Sequence, residues 1–366
     1  MLGRLLDGRY QVFQVLGAGG FCQTYLAKNT CQPGNPTCVV KHLLPTSDRV
    51  DCLQKQRLLL TREAQALQKL GDYDQVPQLY AHFEENNEFY LVQEFIEGHL
   101  LSAELLPGYC WSEGQVVHLL QEVLGILEFV HRHGLIHRDI KPSNLIRRKQ
   151  DNRLVLIDFG SVKQAWTQVV TTQRQTSTSL AQGIPATIAI GTPGYMPSEQ
   201  ERGRPRPNSD IYALGMVGIQ ALTGRAPTQL LEDSDTGEIV WQHQAQISSV
   251  MACVLNKMVR SHFKDRYQSA REVLQAVQQL ADLEQLDTNQ SQTKSGNSPD
   301  LKKLNESFVR QCEGELADLI GPIATFLVQK ALRAYSQISP EELVKALAAE
   351  IPDPQKAFKF QQRLLP

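Results

Sequence analysis

The pattern of hydrophobic and polar positions is strand-like up to about residue 97. Short segments rich in β-branched and aromatic residues, each bounded by turn residues, predict strands at YQVFQVLG, TYLA, CVVKHL and FYLVQEFI. One helix interrupts them around Glu63, where apolar residues recur at helical spacing: Leu60, Ala64, Leu67 and Leu70. We therefore expect a β-rich lobe over residues 8–97.

From residue 98 to residue 281 the pattern becomes mainly helical. The segment WSEGQVVHLLQEVLGILEFVHRHG is amphipathic and ends at Gly134, a typical helix stop. The segments YALGMVGIQALTG and ACVLNKMVR continue the helical character. We expect a helical lobe here and, with residues 1–97, one domain over 1–281.

The last part of the chain has a different composition. Residues 282–300 lose hydrophobic positions and gain Asn, Gln, Ser and Thr, which is typical of a polar linker. Residues 301–366 regain helical spacing, and helix-start signals at Pro322, Ser339-Pro340 and Asp353-Pro354 predict about four short helices. This module carries no catalytic constellation.

Composition and charge exclude several classes of protein. The 366 residues are 42% hydrophobic and 21% charged with a net charge of −2, which indicates a soluble chain and gives no basic excess for nucleic acid. No apolar run approaches the roughly 18 residues that cross a bilayer. The opening MLGRLLDGRY is too short and too charged for a signal peptide, so we expect a cytoplasmic protein.

The seven cysteines are scattered, and a reducing cytosol favours free thiols. Cys31 and Cys38 flank QPGNPT, a turn-rich stretch, so a redox pair at a hairpin tip is the alternative to two small apolar residues at strand ends.

A glycine-rich segment, LGAGGFCQT over residues 16–24, lies between two predicted strands. Such a turn lets backbone N–H groups approach phosphate oxygens, although glycine turns are common and this one opens no helix. Lys41 follows on the next strand, where its amine can hold phosphates as a point charge, and Glu63 is its natural partner.

The strongest signal is IHRDIKPSN, followed by a buried strand that ends in Asp158-Phe159-Gly160. Asp139 can accept the proton of a substrate hydroxyl, and Lys141 can neutralise a migrating phosphoryl group. Asn144 and Asp158 carry oxygen atoms that suit Mg²⁺. A chance match to both the IHRDIKPSN segment and the strand that ends in Asp158-Phe159-Gly160, in this order and at this spacing, is very unlikely.

With these motifs in place, residues 10–281 resemble the eukaryotic-type serine/threonine protein kinase family. The GGFxxTY loop and the PGNPxCVVK strand are similar to its bacterial, cyanobacterial-like branch. The resemblance implies an α+β, bilobal protein kinase fold with a β-rich N-lobe and a helical C-lobe. The small all-α module over 301–366 would follow it.

The resemblance also implies ATP and Mg²⁺ (or Mn²⁺) as cofactors and assigns residues to roles. The catalytic residues would be Asp139, Lys141, Lys41 and Glu63, and the metal ligands would be Asn144 and Asp158. Residues that contact the nucleotide would be Leu16, Gly17, Ala18, Gly19, Gly20, Phe21, Thr24, Lys41, Glu94, Ile96, Asn144 and Asp158, with Gln93 at the back of the adenine pocket.

The segment GTPGYMPSE resembles the end of a kinase activation loop. Thr192 would contact Asp139 and Lys141, and Glu199 would pair with Arg266. The preceding loop is rich in Thr and Ser, with Thr187 and the 171–179 cluster as candidate phosphorylation sites that Arg138 could bind.

Two positions depart from the family pattern. Cys22 stands where a third glycine is usual, and Thr24 replaces the usual Val beneath adenine. Altered ATP affinity is the expectation, and an oxidation switch at Cys22 is a further alternative.

We therefore expect a kinase that transfers the γ-phosphoryl group of ATP to Ser/Thr hydroxyls of protein substrates, itself included, in bacterial signalling. A nucleotide-binding pseudokinase scaffold is the alternative, and a small-molecule phosphotransferase is disfavoured by the GTPGY segment. The C-terminal module would bind a regulatory partner or act as a helical tail.

Overall fold

The computed structural model describes residues 1–18, 22–43, 50–71, 73–161, 163–164, 191–279, 306–320, 324, 328, 331, 340–349, 351 and 354–364. Its strands are β1 Leu5–Leu6, β2 Tyr10–Ala18, β3 Cys22–Asn29, β4 Thr37–Leu43, β5 Leu79–Glu85, β6 Glu88–Glu94, β7 Gly98–Leu100, β8 Leu135–Ile136, β9 Leu145–Arg148, β10 Leu154–Leu156, β11 Lys163–Gln164, β12 Leu231–Glu232 and β13 Ile239–Val240. Its helices are α1 Val50–Leu70, α2 Glu113–Arg132, α3 Ser198–Glu201, α4 Pro207–Thr223, α5 Ser249–Met258, α6 over 270–279, α7 Glu306–Ile320, α8 Pro340–Ala349 and α9 Pro354–Leu364.

Six antiparallel strands form the first sheet, in the order β1-β2-β3-β4-β6-β5. The four strands predicted from the sequence are confirmed as β2, β3, β4 and β6. β1 and β5 were not predicted. β1 is two residues long, and β5 alternates half-buried and exposed residues along the sheet edge, so neither carries a strong apolar signal.

The two faces of this sheet are buried in different ways. One face packs its aromatic residues, including Tyr10, Tyr25 and Tyr90, into a cluster that the N-terminal Leu6 completes. Helix α1 contacts β4, β5 and β6, and it buries Leu67 almost completely. Burial of the apolar stripe of α1 therefore sets the position of Glu63 against the sheet.

Helices α2 and α4 form the centre of the second lobe, and their ends follow local signals. Ser112 caps α2 through a reciprocal capping box with Gln115. The chain leaves α2 through Gly134, at φ +68°. Gly224 ends α4 at φ +63°, where a Cβ would lie 2.9 Å from the backbone of Gly108.

Short strands within the second lobe bring two chemical groups together. The buried strand predicted before Asp158 is confirmed as β10, whereas β9 was not predicted. β9 begins directly after Asn144, and β10 ends two residues before Asp158. The two strands pair antiparallel, with Leu156 opposite Leu145. Because these paired ends coincide, residues that are far apart in the sequence lie side by side, and the Ile157 N–H donates to the Asn144 carbonyl at 2.9 Å.

The loop after α1 is fastened to the second lobe by an ion-pair network. Asp74 accepts hydrogen bonds from Arg148 and Arg153 at 2.6–3.0 Å. Gln75 Nε2 donates to the Leu154 carbonyl at 2.8 Å, and Tyr73 stacks on Phe129 at 3.9 Å between ring centroids. The C-terminal end of α1 is therefore tied to the helical lobe.

A second compact unit comprises residues 247–254 and 276–366. Leu316, Leu343, Leu347 and Phe360 are fully or almost fully buried in its own core. The helix starts predicted at Pro340 and Pro354 are confirmed, whereas Pro322 and the linker at 282–300 lie outside the described residues. The boundaries of the kinase-like domain, linker and module stay predictions. No helix in the described ranges is long and apolar enough to cross a membrane.

The buried pair between Glu199 and Arg266, expected from the sequence, is confirmed. Arg266 donates to both carboxylate oxygens of Glu199 at 2.7 and 3.1 Å, and its side chain is fully buried. Three further donations, to the carbonyls of Arg260, Ser261 and Asn208, satisfy the rest of the guanidinium. This pair joins the segment before α4 to the segment before α6.

We expect Arg266→Met to lower the free energy of unfolding by about 3–5 kcal/mol, because Glu199 would remain buried without its partner. Urea denaturation followed by circular dichroism measures the change. The control is Arg260→Met, which breaks a half-exposed pair with Glu238 and is expected to cost less than about 1 kcal/mol. Equal losses in the two variants would contradict the assignment.

Candidate active site

The cleft side of the first sheet carries a three-way charge contact. Lys41 on β4 contacts the Glu63 carboxylate, and its Nζ lies 3.1 Å from Asp158 Oδ1. Burial acts to lower the pKa of Lys41, but the two facing carboxylates outweigh it and raise the pKa. Lys41 in turn lowers the pKa of Asp158, so both groups are charged at neutral pH.

The glycine-rich segment lies beside this contact. In the strand register Gly17 faces Thr24, Thr24 faces Lys41 and Ala18 faces Gln23. Leu16 is exposed at the sheet edge. Gly19, Gly20 and Phe21 lie outside the described residues, so their contact with phosphates stays a prediction.

The chain that connects the two lobes runs through Glu94 and Ile96. The Glu94 N–H donates to the Gln78 carbonyl at 2.8 Å, and the Gln78 N–H donates to Glu94 Oε2 at 3.2 Å. These bonds attach the connecting segment at Glu94 to Gln78, the residue that precedes β5. Lys41 pairs with Leu91 on β6. Gln93 lies two residues after Leu91, so it is on the same sheet face as Lys41, and it is buried. Binding of adenine by Glu94 and Ile96 stays a prediction.

Asp139 is held by three groups from two segments. Thr192 Oγ1 donates to Asp139 Oδ1 at 2.7 Å, and Asn144 Nδ2 donates to Oδ2 at 3.0 Å. Lys141 Nζ lies 2.8 Å from Asp139 Oδ2 and 2.8 Å from Thr192 Oγ1. The contacts of Thr192 predicted from the sequence are thus confirmed, and they fix the orientation of the Asp139 carboxylate.

The backbone around Asp139 rests on one buried carboxylate. The N–H groups of His137 and Arg138 donate to Asp210 at 2.9 and 2.8 Å, and His131 Nε2 lies 2.8 Å from the same carboxylate. Burial acts to raise the pKa of Asp210, but His131, His137 and the backbone donors outweigh it and hold the pKa low. Arg138 adopts φ +70°, an unfavourable conformation for a side chain with a Cβ, and these two bonds hold it there.

Phe159, next to Asp158, is fully buried and meets the His137 ring edge-on at 4.9 Å between centroids. His137 Nε2 lies 3.2 Å from the Ile157 carbonyl. Asp158 itself has φ +67°. The aromatic contact therefore links the segment of Asp139 to the segment of Asp158 and helps to direct the Asp158 carboxylate towards Lys41.

A family model of the protein kinase domain matches residues 10–304. The chain belongs to the protein kinase domain family. A second family model, for a domain of unknown function (DUF8082), matches residues 307–366. The kinase family uses ATP and divalent metal ions in general, which agrees with the cofactors expected from the sequence.

Curated relatives confirm the cyanobacterial-like resemblance of this kinase domain. The chain is 43% identical over 277 residues to serine/threonine-protein kinase PknA of Nostoc sp., covering 75% of this chain and 48% of the relative. It is 42% identical over 273 residues to serine/threonine-protein kinase B of Synechocystis sp., covering 75% of this chain and 47% of the relative. The chain therefore spans about half the length of the curated relatives it matches.

Solved structures confirm the fold class. The kinase domain of Mycobacterium tuberculosis PknI matches with a TM-score of 0.56 at 21% identity, covering 76% of this chain and 98% of that domain. At this identity the likeness concerns the fold alone. The α+β, bilobal kinase fold predicted from the sequence is confirmed, and a helical segment follows it.

The donor set of this kinase domain fits a divalent metal. Asn144 Nδ2 is committed to the Asp139 carboxylate and to the Asp139 carbonyl, at 3.0 and 2.8 Å, which leaves Oδ1 as the acceptor end of the amide. Asp158 is ionised and its side chain is 47% exposed. Hard oxygen donors of this kind suit Mg²⁺ or Mn²⁺. The roles of Asn144 and Asp158 as ligands stay predictions.

One important residue carried a weak sequence signal. The role of Asp210 as the anchor of the catalytic segment was not predicted. A carboxylate inside an apolar helix is the signal that could have found it, since such a group needs buried partners.

The structure argues against a redox role for Cys22. Burial raises the pKa of the Cys22 thiol to about 12, and nearby Lys41 offsets only part of this effect. Cys31 is exposed, whereas Cys38 is buried, has a pKa that burial raises to about 11, and makes a contact with the Ala27 carbonyl. Both are free thiols. The interpretation of Cys31 and Cys38 as two small apolar residues at strand ends therefore fits better than a redox pair.

We expect iodoacetamide at pH 8 to alkylate Cys22 at least about ten-fold more slowly than the exposed Cys31 and Cys110, because the thiolate is the reactive form. Peptide mass spectrometry over time measures each rate, and the two exposed cysteines are internal controls. Labelling of Cys22 as fast as Cys31 would contradict the raised pKa.

Proposed function

We propose that this chain is an active serine/threonine protein kinase that transfers the γ-phosphoryl group of ATP to hydroxyls of protein substrates. The observation that carries the proposal is the Asp139 carboxylate, held by Thr192, Lys141 and Asn144 and joined to the Lys41–Asp158 contact through paired strands. Catalysis in this class is mainly positioning and electrostatics.

Each side chain has a part in the proposed reaction. Asp139 orients the acceptor hydroxyl and takes its proton as the hydroxyl oxygen forms a bond to the γ-phosphorus. The bond between that phosphorus and the β–γ bridging oxygen breaks, and ADP leaves with the bonding electrons. Lys141, 2.8 Å from Asp139, stabilises the charge of the transferring group. A divalent metal, when bound, neutralises phosphate charge, and Asn144 and Asp158 are the residues that would hold it.

Lys41 binds the phosphates of the nucleotide in this proposal. Its ammonium group is fixed by Glu63, which is 4% exposed, and it therefore presents charge to the α- and β-phosphates without losing side-chain freedom on binding. Thr24 lies opposite Lys41 on the neighbouring strand, and Gly17 lies opposite Thr24 on the next strand, where the glycine leaves backbone groups accessible. ATP is a cytoplasmic cosubstrate, so a cytoplasmic site of action is part of the proposal.

The C-terminal module is proposed to bind a regulatory partner. Its own buried core and its lack of a place in the catalytic constellation support this role.

The first test replaces Asp139 with Asn and follows transfer of labelled phosphate from ATP with Mg²⁺ to a generic basic protein and to the chain itself. The rate should fall by roughly three orders of magnitude, because the base that takes the hydroxyl proton is lost. Asp235→Asn, the same change at an exposed hairpin position, should leave the rate unchanged. ATP binding without transfer by the wild type would instead favour a pseudokinase scaffold.

The activation loop is proposed to be autophosphorylated, at Thr187 or in the 171–179 cluster, which lie outside the described residues. Support comes from two cations beside the catalytic segment. Burial is the main cause that lowers the pKa of Arg138 to about 10. The charge of Asp210 acts to raise this pKa, and the positive charge of neighbouring Arg62 acts to lower it. A phosphate between these guanidinium groups would relieve their repulsion.

We expect Arg62→Gln to abolish most of the rate gain that loop phosphorylation gives. Phosphatase-treated wild type and phosphatase-treated variant should transfer phosphate at similar rates, and only the untreated wild type should be several-fold faster. Mass spectrometry verifies the phosphate on each sample. Similar activation of the two proteins would exclude Arg62 from the phosphate site.

A further inference from the structure

Three arginines alternate along the segment that joins α3 to α4. Arg202, Arg204 and Arg206 are all exposed, and Gly203 and Pro205 separate them. We refer to these three side chains as the arginine ridge. Glu201 is the carboxylate of the same six-residue segment, so the ridge has a clear positive excess.

Backbone contacts hold the ridge in a defined shape. The Arg202 N–H donates to Ser198, the Gly203 N–H to Gln200 and the Arg204 N–H to Glu199, at 2.9–3.1 Å. Glu199 is in turn fixed by its buried pair with Arg266. A cationic surface on such a fixed loop binds an anion with little loss of conformational entropy.

Arg206 is oriented by an aromatic ring. Its guanidinium carbon lies 4.1 Å from the centroid of the Phe263 ring. The Phe263 carbonyl accepts a hydrogen bond from Asn208 Nδ2 at 2.7 Å, which fixes the position of the platform. A stacked guanidinium keeps its N–H edges available for a carboxylate.

The charge of the ridge is not neutralised within the part of the chain that the structure describes. Arg147 and Arg266, by comparison, pair with carboxylates that are at most about one-fifth exposed. No described carboxylate forms an ion pair with Arg202, Arg204 or Arg206. An unpaired cationic cluster at a fixed surface favours an anionic partner.

The ridge lies next to the site where an acceptor hydroxyl would sit. Gln200, two residues before Arg202, donates to the Arg138 carbonyl at 2.6 Å, and Arg138 precedes Asp139. An extended peptide of about three to six residues spans roughly 10–20 Å. One bound polypeptide can therefore reach both places.

We propose that the arginine ridge is a docking surface for an acidic segment of the protein substrate, about three to six residues from the phosphorylated hydroxyl. This rests on the proposed kinase function, because it assigns the substrate class of that same site. Carboxylates along a bound peptide complement the positive charge of the three exposed arginines.

The test uses the full chain and a matched set of peptides. Each peptide carries one Thr acceptor and, about four residues before or after it, a tail of either glutamates or glutamines. The ridge variant is Arg202→Gln/Arg204→Gln/Arg206→Gln. The charge-matched control is Arg132→Gln/Lys149→Gln/Arg271→Gln, which changes three exposed cations elsewhere on the same unit.

We expect the glutamate tail, placed either before or after the Thr acceptor, to raise kcat/KM about ten-fold for the wild type and the control in at least one of these two positions. The ridge variant should show no such gain. The gain should fall as salt rises, since exposed ion pairs are screened. Glutamine-tailed peptides should react equally with all three proteins. Equal tail effects in all three proteins would overturn the ridge as the docking surface.

A binding measurement separates this inference from the proposed catalysis. Fluorescence anisotropy of a labelled glutamate-tailed peptide with Ala in place of Thr reports docking without transfer. Weaker binding to the ridge variant than to the control supports docking even if no protein transfers phosphate. Equal binding to both variants overturns it. Tighter, ridge-dependent binding of a single-stranded oligonucleotide of equal charge would overturn the assignment to an acidic protein segment.

Discussion

The shape of the catalytic segment depends on the buried carboxylate of Asp210. Two successive backbone N–H groups, from His137 and Arg138, end on it, and they hold Arg138 at a positive φ that its side chain disfavours. Without these bonds the segment would relax, and the Asp139 side chain would lose its direction. The carboxylate is ionised although fully buried, because every oxygen has a donor.

The other catalytic side chains are fixed one after another, starting from Asp210. Each contact uses a group that the previous contact holds in place. Asn144 and Thr192 hold Asp139, the β9–β10 pairing places Asp158 beside Asn144, and Phe159 packs on His137. Asp158 then meets Lys41, which belongs to the other lobe. The catalytic groups are therefore assembled from two lobes by a continuous chain of hydrogen bonds and one aromatic contact.

The sequence was most informative where short-range chemistry decides the structure. The end of α2 was predicted at Gly134, and the motif order led to the Lys41–Glu63 contact. Strand β5 was missed because its alternation mixes aromatic, charged and small residues at a sheet edge. The Asp74 network was missed because surface charges become meaningful only when folding brings distant segments together. The arginine ridge was missed because three arginines form too short a run of charge to stand out in the sequence.

The ion-pair network after α1 fixes the C-terminal end of that helix. Asp74 and Gln75 clamp the chain just beyond Leu70, so any tilt of the helix would pivot near its C-terminus. Glu63 lies about 10 Å up the axis from that pivot, at ~1.5 Å rise per residue. A swing of only about 20° would carry it roughly 3.5 Å, enough to part it from Lys41. Helix α1 would in this sense act as a short lever, whose tilt would make or break the Lys41–Glu63 contact.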